Sequence, residues 1–264
     1  MFPKRSKGEY MNKTLLAVAC ATAVCGNAFA EEGAGKENAW KGEMALSYLI
    51  TRGNSESDTL QGKVSAERDG VRWRHTAKAE GSNTQSDDAT TGDKVRTGER
   101  YFASYKLDRK LGDNAANYLF NIVAYDKDLF SGYHYQASYA LGIGRRWIDN
   151  GTHTFDTEVG PGFRSVCLEP ETSYTDCDNT EDSAIARVAA KYHWKISEGA
   201  QFREDVSSEI SDEITTVRAE TSLTTQINGS LSARIAHLLK YTSDVPAGTR
   251  KSDNELTVAL VYSF

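Results

Sequence analysis

The stretch Leu256-Thr257-Val258-Ala259-Leu260-Val261-Tyr262-Ser263-Phe264 places Leu, Val, Leu, Tyr and Phe at every second position, with Thr, Ala, Val and Ser between them. Side chains alternate across a β-strand with a period of two, so this is a strand with one continuous apolar face. The same alternation recurs along the chain, which holds twelve such segments in all: 40–50, 59–68, 71–81, 98–108, 116–126, 133–147, 153–165, 184–195, 201–210, 215–227, 230–242 and 254–264. Most run 10 to 13 residues. That exceeds the ~5–6 residues usual in soluble sheets and suits the roughly 9–11 that a tilted strand needs to cross a bilayer.

The connections alternate in length as well. Asp69-Gly70 and Asn228-Gly229 read as two-residue hairpin turns of the kind that wants positive φ. Asp149-Asn150-Gly151 and Ser197-Glu198-Gly199-Ala200 are nearly as short. Between them fall 51–58, 82–97, 127–132, 166–183, 211–214 and 243–253, mostly longer and polar. Short turns on one side, long loops on the other and an even strand count predict an all-β fold, a transmembrane antiparallel up-and-down β-barrel of about 12 strands over residues 40–264. The short turns and both strand-bearing chain ends are then periplasmic. Composition agrees: 13 Tyr, 9 Phe, 4 Trp and 21 Gly against 4 Pro and 3 Met favour strands over helices. No stretch after the N-terminus approaches the roughly 18 apolar residues of a membrane helix. A net charge of −6 argues against nucleic-acid partners.

Residues 1–30 read as a leader and secretory signal peptide. Met11-Asn12-Lys13 precedes an apolar core from Thr14 to Cys25, and Ala28-Phe29-Ala30 gives the small-x-small cleavage pattern. A lipoprotein site at Cys20 is disfavoured by Ala17 and by the short distance from Lys13. Residues 31–39 are then a short periplasmic segment. The remaining cysteines, Cys167 and Cys177, lie in one loop of an exported chain. A disulfide is the simplest reading, with free thiols or half a metal site as alternatives.

Apolar residues fix a register for each strand, and charges then fall on the other face. Sixteen basic and ten acidic residues face the expected lumen, including the pore-lining candidates Arg72, Arg74, Lys78, Arg100, Lys106, Arg187, Lys191, Arg218, Arg234 and Glu220. Five charges fall on the apolar face, Arg68, Glu99, Asp126, Arg145 and Glu204, all near strand ends where a lipid-facing charge costs little. Aromatic residues gather at both ends of that face. Trp40, Trp73, Tyr118, Trp147, Phe155, Trp194, Phe202, Tyr262 and Phe264 sit toward the short turns, and Tyr48, Tyr101, Tyr133, Tyr135, Phe163 and Tyr241 toward the loops. Such girdles mark membrane–water boundaries.

The tail Leu256-x-Val258-x-Leu260-x-Tyr262-x-Phe264 resembles the C-terminal assembly signal of outer-membrane proteins. That likeness implies the bacterial outer membrane as location, with the barrel-assembly machinery, lipid and lipopolysaccharide as partners. The chain also resembles the YdiY-type family of salt-induced outer-membrane proteins, a family of unknown function. Arg52-Gly53-Asn54-Ser55-Glu56-Ser57, Phe130-Ser131-Gly132-Tyr133 with Gly142-Ile143-Gly144-Arg145, and Glu158-Val159-Gly160-Pro161-Gly162-Phe163-Arg164 carry the likeness. It implies a barrel and a location, and it brings no catalytic residues.

Chemistry is weakly signalled. His134 and Ser138 share a lumen face, and His193 faces the lumen elsewhere. A lipid hydrolase would need a carboxylate and a recognisable pattern beside them, and Tyr135-Gln136 does not supply one. The acidic loop 166–183 holds Glu169, Glu171, Asp176, Asp178, Glu181 and Asp182, which reads as solvated in preference to a calcium site. Pro161 within Gly160-Pro161-Gly162 predicts either a bulge near the outer rim or a strand end at Gly160. The expectation is a non-enzymatic barrel without cofactors, either a narrow passive pore with weak anion preference or a plugged structural barrel. The rivals are an outer-membrane enzyme and a soluble periplasmic ligand-binding barrel.

Overall fold

The computed structural model describes residues 39–51, 57–87, 91, 93–112, 116–130, 133–167, 180–245 and 250–264. The expected signal peptide, most of the 31–39 segment and Cys177 lie outside them. The strands are β1 (Trp40–Thr51), β2 (Ser57–Asp69), β3 (Trp73–Asp87), β4 (Lys94–Leu111), β5 (Asn117–Asp128), β6 (Tyr135–Asp149), β7 (His153–Cys167), β8 (Thr180–Lys195), β9 (Ala200–Ile210), β10 (Thr215–Asn228), β11 (Leu231–Thr242) and β12 (Ser252–Ser263). They form one closed antiparallel barrel in chain order. The seam joins β1 to β12, with Glu43 opposite Ser263 and Leu46 opposite Leu260. The Gly42 and Phe264 backbones exchange two hydrogen bonds of 3.0 Å there. Closure removes the unpaired edges that an open sheet would present.

The strands sit where the alternation puts them, but several run further toward the loops. β3 and β4 reach Asp87 and Lys94, beyond the expected 81 and 98. Ser82, Asn83, Thr84, Gln85 and Ser86 pair with β4 without any apolar alternation. Beyond an apolar belt neither face needs to be greasy, so pairing leaves no periodic trace in the sequence. β7 runs unbroken through Gly160-Pro161-Gly162 to Cys167. The β6–β7 register is the same on both sides of the proline, Ala140 opposite Gly162 and Ile143 opposite Val159. Neither the expected bulge nor a strand end occurs at Pro161, whose missing N–H interrupts the ladder without shifting it. Positive φ is found at Gly112 and Gly151, not at Gly70 or Gly229. The β2–β3 connection instead spans three residues, with the Gly70 amide donating to the Trp73 carbonyl at 2.8 Å. At Gly229 an irregularity between Gln226 and Asn228 accommodates the turn.

Polarity is inverted relative to a soluble domain. Leu256, Val258, Leu260 and Tyr262 are exposed on the outside, Val258 by 66%. Arg74, Lys106, Asp108, Asp156, Glu158, Arg187 and Arg234 are buried inside. Of the expected outward charges, four remain outside. The Glu99 carboxylate accepts from the Tyr101 hydroxyl at 2.9 Å, Glu204 accepts from Thr221 at 2.5 Å, and the Arg145 guanidinium lies 4.5 Å from the Trp147 ring centre. Arg68 pairs in register with His75.

The fifth, Asp126, faces inward, which corrects the register expected for β5. Tyr118 and Phe120 are almost completely buried in the lumen, whereas Leu119, Val123 and Tyr125 are exposed. Both faces of β5 carry three large apolar or aromatic residues, so apolar content alone does not choose between them. Two further expectations fail at single positions. Tyr133 is buried, not part of a girdle, and its hydroxyl donates to the Asp244 carbonyl at 3.0 Å. Arg72 is exposed in the β2–β3 turn and lies on no strand, so it is not part of the lumen wall.

Candidate functional site: the barrel lumen

Toward the short turns the lumen is filled. Gly142 and Gly144 on β6 face inward, and the Phe120 and Tyr118 rings of β5 lie on them. A Cβ at Gly144 would fall 2.2 Å from the Tyr118 ring, and one at Gly142 would fall 2.2 Å from the Val159 carbonyl oxygen and 2.9 Å from Phe120. Only glycine lets the rings lie flat on the wall. Ion pairs pack over these rings. Arg74 contacts Asp108 at 2.7 Å and Asp156 at 3.6 Å. Lys106 bridges Asp108 and Glu158, each at 2.6 Å. Arg146 grips Asp156 through two nitrogens at 2.8 and 3.0 Å. The Tyr118 hydroxyl donates to Glu158 at 3.0 Å, and Arg74 and Lys106 lie 4.9 and 5.1 Å from its ring centre. A buried charge is tolerated only when paired and hydrogen-bonded, and here each cation meets a carboxylate.

Further pairs cross the middle. Lys78 on β3 reaches Asp205 on β9 at 3.1 Å. Lys240 on β11 reaches Asp126 on β5 at 3.1 Å, and Arg100 holds the same carboxylate at 2.8 Å. In the closed order each cross-lumen partner lies six strands away, on the opposite wall. Arg218 on β10 meets Glu80 on β3 at 2.8 Å, and Lys63 pairs with both Glu220 and Glu80. Arg234 takes Glu43 at 2.6 and 2.9 Å. Lys191 lies 3.8 Å from Glu158.

Toward the loops lies a cavity of about 580 Å³. Its wall carries the crossing pairs Lys78, Asp205, Lys240 and Asp126 together with small residues such as Gly98, Ser104, Ala124, Ser138 and Ser207. At the rim, Tyr133 reaches across from the β5–β6 connection to Asp244 after β11.

The structure gathers the candidates Arg74, Lys78, Arg100, Lys106, Arg187, Lys191, Arg218, Glu220 and Arg234 inside the lumen; Arg72 stays apart in its turn. Tyr118, Phe120 and Asp126 join the site unforeseen, and the outward charge on Asp126 was the signal that could have reversed β5. With Arg72 gone and Asp126 added, the expected cationic surplus of the wall narrows. His134 and Ser138 do not form a pair: Ser138 donates to Glu209 at 3.0 Å, while His134 packs edge-on to Tyr135. His193 contacts Gln201 at 3.0 Å. Cys167 is fully buried at the end of β7. The assembly-tail residues Leu256, Val258, Leu260, Tyr262 and Phe264 form one exposed outer stripe. No group of three metal-ligating side chains occurs among the described residues.

These features define a class: a closed antiparallel β-barrel, apolar outside and ion-paired within. Residues 44–264 match the family described as "Protein of unknown function, DUF481", and the chain belongs to that family. It is 26% identical over 234 residues to "Uncharacterized protein YdiY" of Escherichia coli (strain K12), covering 88% of this chain and 86% of that protein. The expected YdiY-type membership is therefore correct. Among solved structures the chain is loosely similar to the COG4313 outer membrane channel from Pseudomonas putida F1. The TM-score is 0.48 at 9% identity, covering 89% of this chain and 100% of that one. It is also loosely similar to the translocator domain of autotransporter NalP from Neisseria meningitidis, with TM-score 0.44 at 11% identity, covering 96% and 98%.

Proposed function

We propose that this protein is a bacterial outer-membrane β-barrel that acts as a plugged structural barrel, passing at most small ions. The observation that carries the reading is the set of ion pairs joining opposite walls, Lys78 to Asp205 and Lys240 to Asp126, above a packed floor of Tyr118, Phe120, Lys106 and Glu158. The exposed apolar exterior supports a bilayer around it, because a contiguous apolar surface of this extent marks a membrane or partner interface. The reading includes cleavage of a signal peptide before residue 31 and a periplasmic segment up to residue 39. It also includes a Cys167–Cys177 disulfide on the outer side, recognition of the Leu256–Phe264 tail by the assembly machinery, and lipopolysaccharide around the loop-side rim. A role in salt or envelope stress belongs to it as well, and catalysis does not.

Cell fractionation tests the location: the mature chain should co-sediment with outer membrane and migrate heat-modifiably on gels. Recovery in the soluble periplasm would overturn it. Proteoliposomes tests the plug. They should not swell in arabinose, and swelling at rates typical of an open porin would contradict closure.

A further inference from the structure

Two arginines stand on the apolar outer wall, and neither meets a carboxylate. Arg109 of β4, Asn117 of β5 and Arg145 of β6 are exposed and alternate with the buried Asp108, Tyr118 and Gly144, so all three point outward. Asn117 lies directly opposite Arg145, and Arg109 lies opposite Leu119, the next outward position along β5. The three side chains therefore surround one patch of wall. Each arginine rests on a tryptophan near the short turns. Arg109 lies 5.9 Å from the Trp73 ring centre and Arg145 lies 4.5 Å from that of Trp147. Trp147 is itself held in place, its indole N–H donating to Thr157 at 2.8 Å. Among the described residues these rings are the only side-chain partners of the two guanidinium groups. Their sequence neighbours differ: Lys110 and Arg146 face the other way and pair with Asp69 and Asp156.

We propose that this patch binds an anionic phospholipid of the periplasmic leaflet, with Arg109 and Arg145 on the phosphate oxygens and the Asn117 amide between them. Tryptophans at a barrel boundary sit at the level of lipid headgroups, which sets the two guanidinium groups at the depth of the phosphates. A guanidinium whose face lies on a ring keeps its edge N–H groups for oxygen acceptors, and its fork matches two phosphate oxygens. On the loop side of the patch Leu119, Ile143 and Leu141 are exposed, an apolar wall for the acyl chains. A lipid satisfies both the cations and this wall, whereas free phosphate would leave the wall bare. Two positive charges without a carboxylate favour a headgroup of net negative charge over one that carries its own cation. The proposal rests on the bilayer reading and on periplasmic short turns. It is independent of whether the lumen is closed.

The test is tryptophan quenching by brominated lipid. Trp40→Phe and Trp194→Phe leave Trp73 and Trp147, which flank the patch, as reporters. The refolded full barrel is placed in dioleoylphosphatidylcholine vesicles with rising fractions of dibrominated phosphatidylglycerol or, as reference, dibrominated phosphatidylcholine. Quenching should show a preference for phosphatidylglycerol of about fivefold or more, the factor that one basic residue near an anionic lipid surface contributes. The double variant Arg109→Gln/Arg145→Gln should bring the two lipids close to parity. Lys195→Gln removes a charge from the end of β8 at the same end of the barrel and should change the preference less than twofold. The preference of the reporter barrel needs no arginine variant. Should the double variant fail to fold by heat-modifiable migration, Arg145→Lys keeps the charge without the fork and should still lose at least half of that preference. Equal quenching by both lipids in a barrel shown to be inserted by protease protection would overturn the site alone. An unchanged preference in the arginine variants, or an equal loss in Lys195→Gln, would do the same. Failure to insert would overturn the bilayer reading and the site with it.

Discussion

The two halves of this lumen share a wall and differ in what the wall carries. Toward the short turns, aromatic rings lie on glycines and buried ion pairs close the space; toward the loops, ion pairs stand among Ser, Ala and Gly around a cavity. Barrel size is common to both, so closure here is a property of side chains and not of strand number. Twelve strands enclose more width than one side chain fills. Partners must therefore come from opposite walls or from rings packed against one wall, and both devices are used.

The largest effect should come from breaking the packed half. Lys106→Met leaves Asp108 and Glu158 without their shared cation. Truncating one partner of a buried pair costs about 3–5 kcal/mol, read as a lower urea midpoint for unfolding in detergent or lipid. An unchanged midpoint would mean that water reaches this half and the contrast is false.

Next comes the face of β5. Val123→Lys places a charge on the outer surface and should cost about 2–4 kcal/mol near the bilayer midplane, while Ala124→Lys points into the cavity and should cost much less. The opposite ranking in the same unfolding assay would restore the register read from apolar content. That register shows what was legible. Strand number, the turn and loop sides, the outer stripe of β12 and the inward charges of the other strands all follow from period-two alternation, because lipid outside and charge inside leave opposite marks on alternate residues. β5 carries Tyr118, Phe120 and Ile122 on one face and Leu119, Val123 and Tyr125 on the other, so the mark cancels. The plug itself was invisible for a second reason. Pairing of Lys78 with Asp205 depends on which strands face each other across the closed barrel, and local sequence does not record it.

A smaller effect should come from the glycines beneath the rings. Gly144→Val puts a branched side chain where the Tyr118 ring lies, and forcing atoms into a packed site costs typically about 1–3 kcal/mol. Unfolding midpoints check the magnitude. If Gly144→Val is neutral, Tyr118 is not held against the wall.

The smallest effect on the folded barrel concerns the seam. The Phe264 ring stacks on Tyr262 with centres 6.4 Å apart and covers Gly42. Phe264→Ala should leave the unfolding midpoint nearly unchanged but lower the yield of heat-modifiable barrel in cells. Full yield would remove the tail as an assembly signal.

The central claim is that paired side chains close one half of the lumen while the barrel spans a bilayer. Planar-bilayer recording of the refolded wild-type protein tests it most directly. In 1 M KCl the account expects insertion, verified by protease protection in parallel liposomes, with no steady current beyond brief, small openings. A stable, ohmic, porin-sized conductance from the wild-type barrel would contradict it.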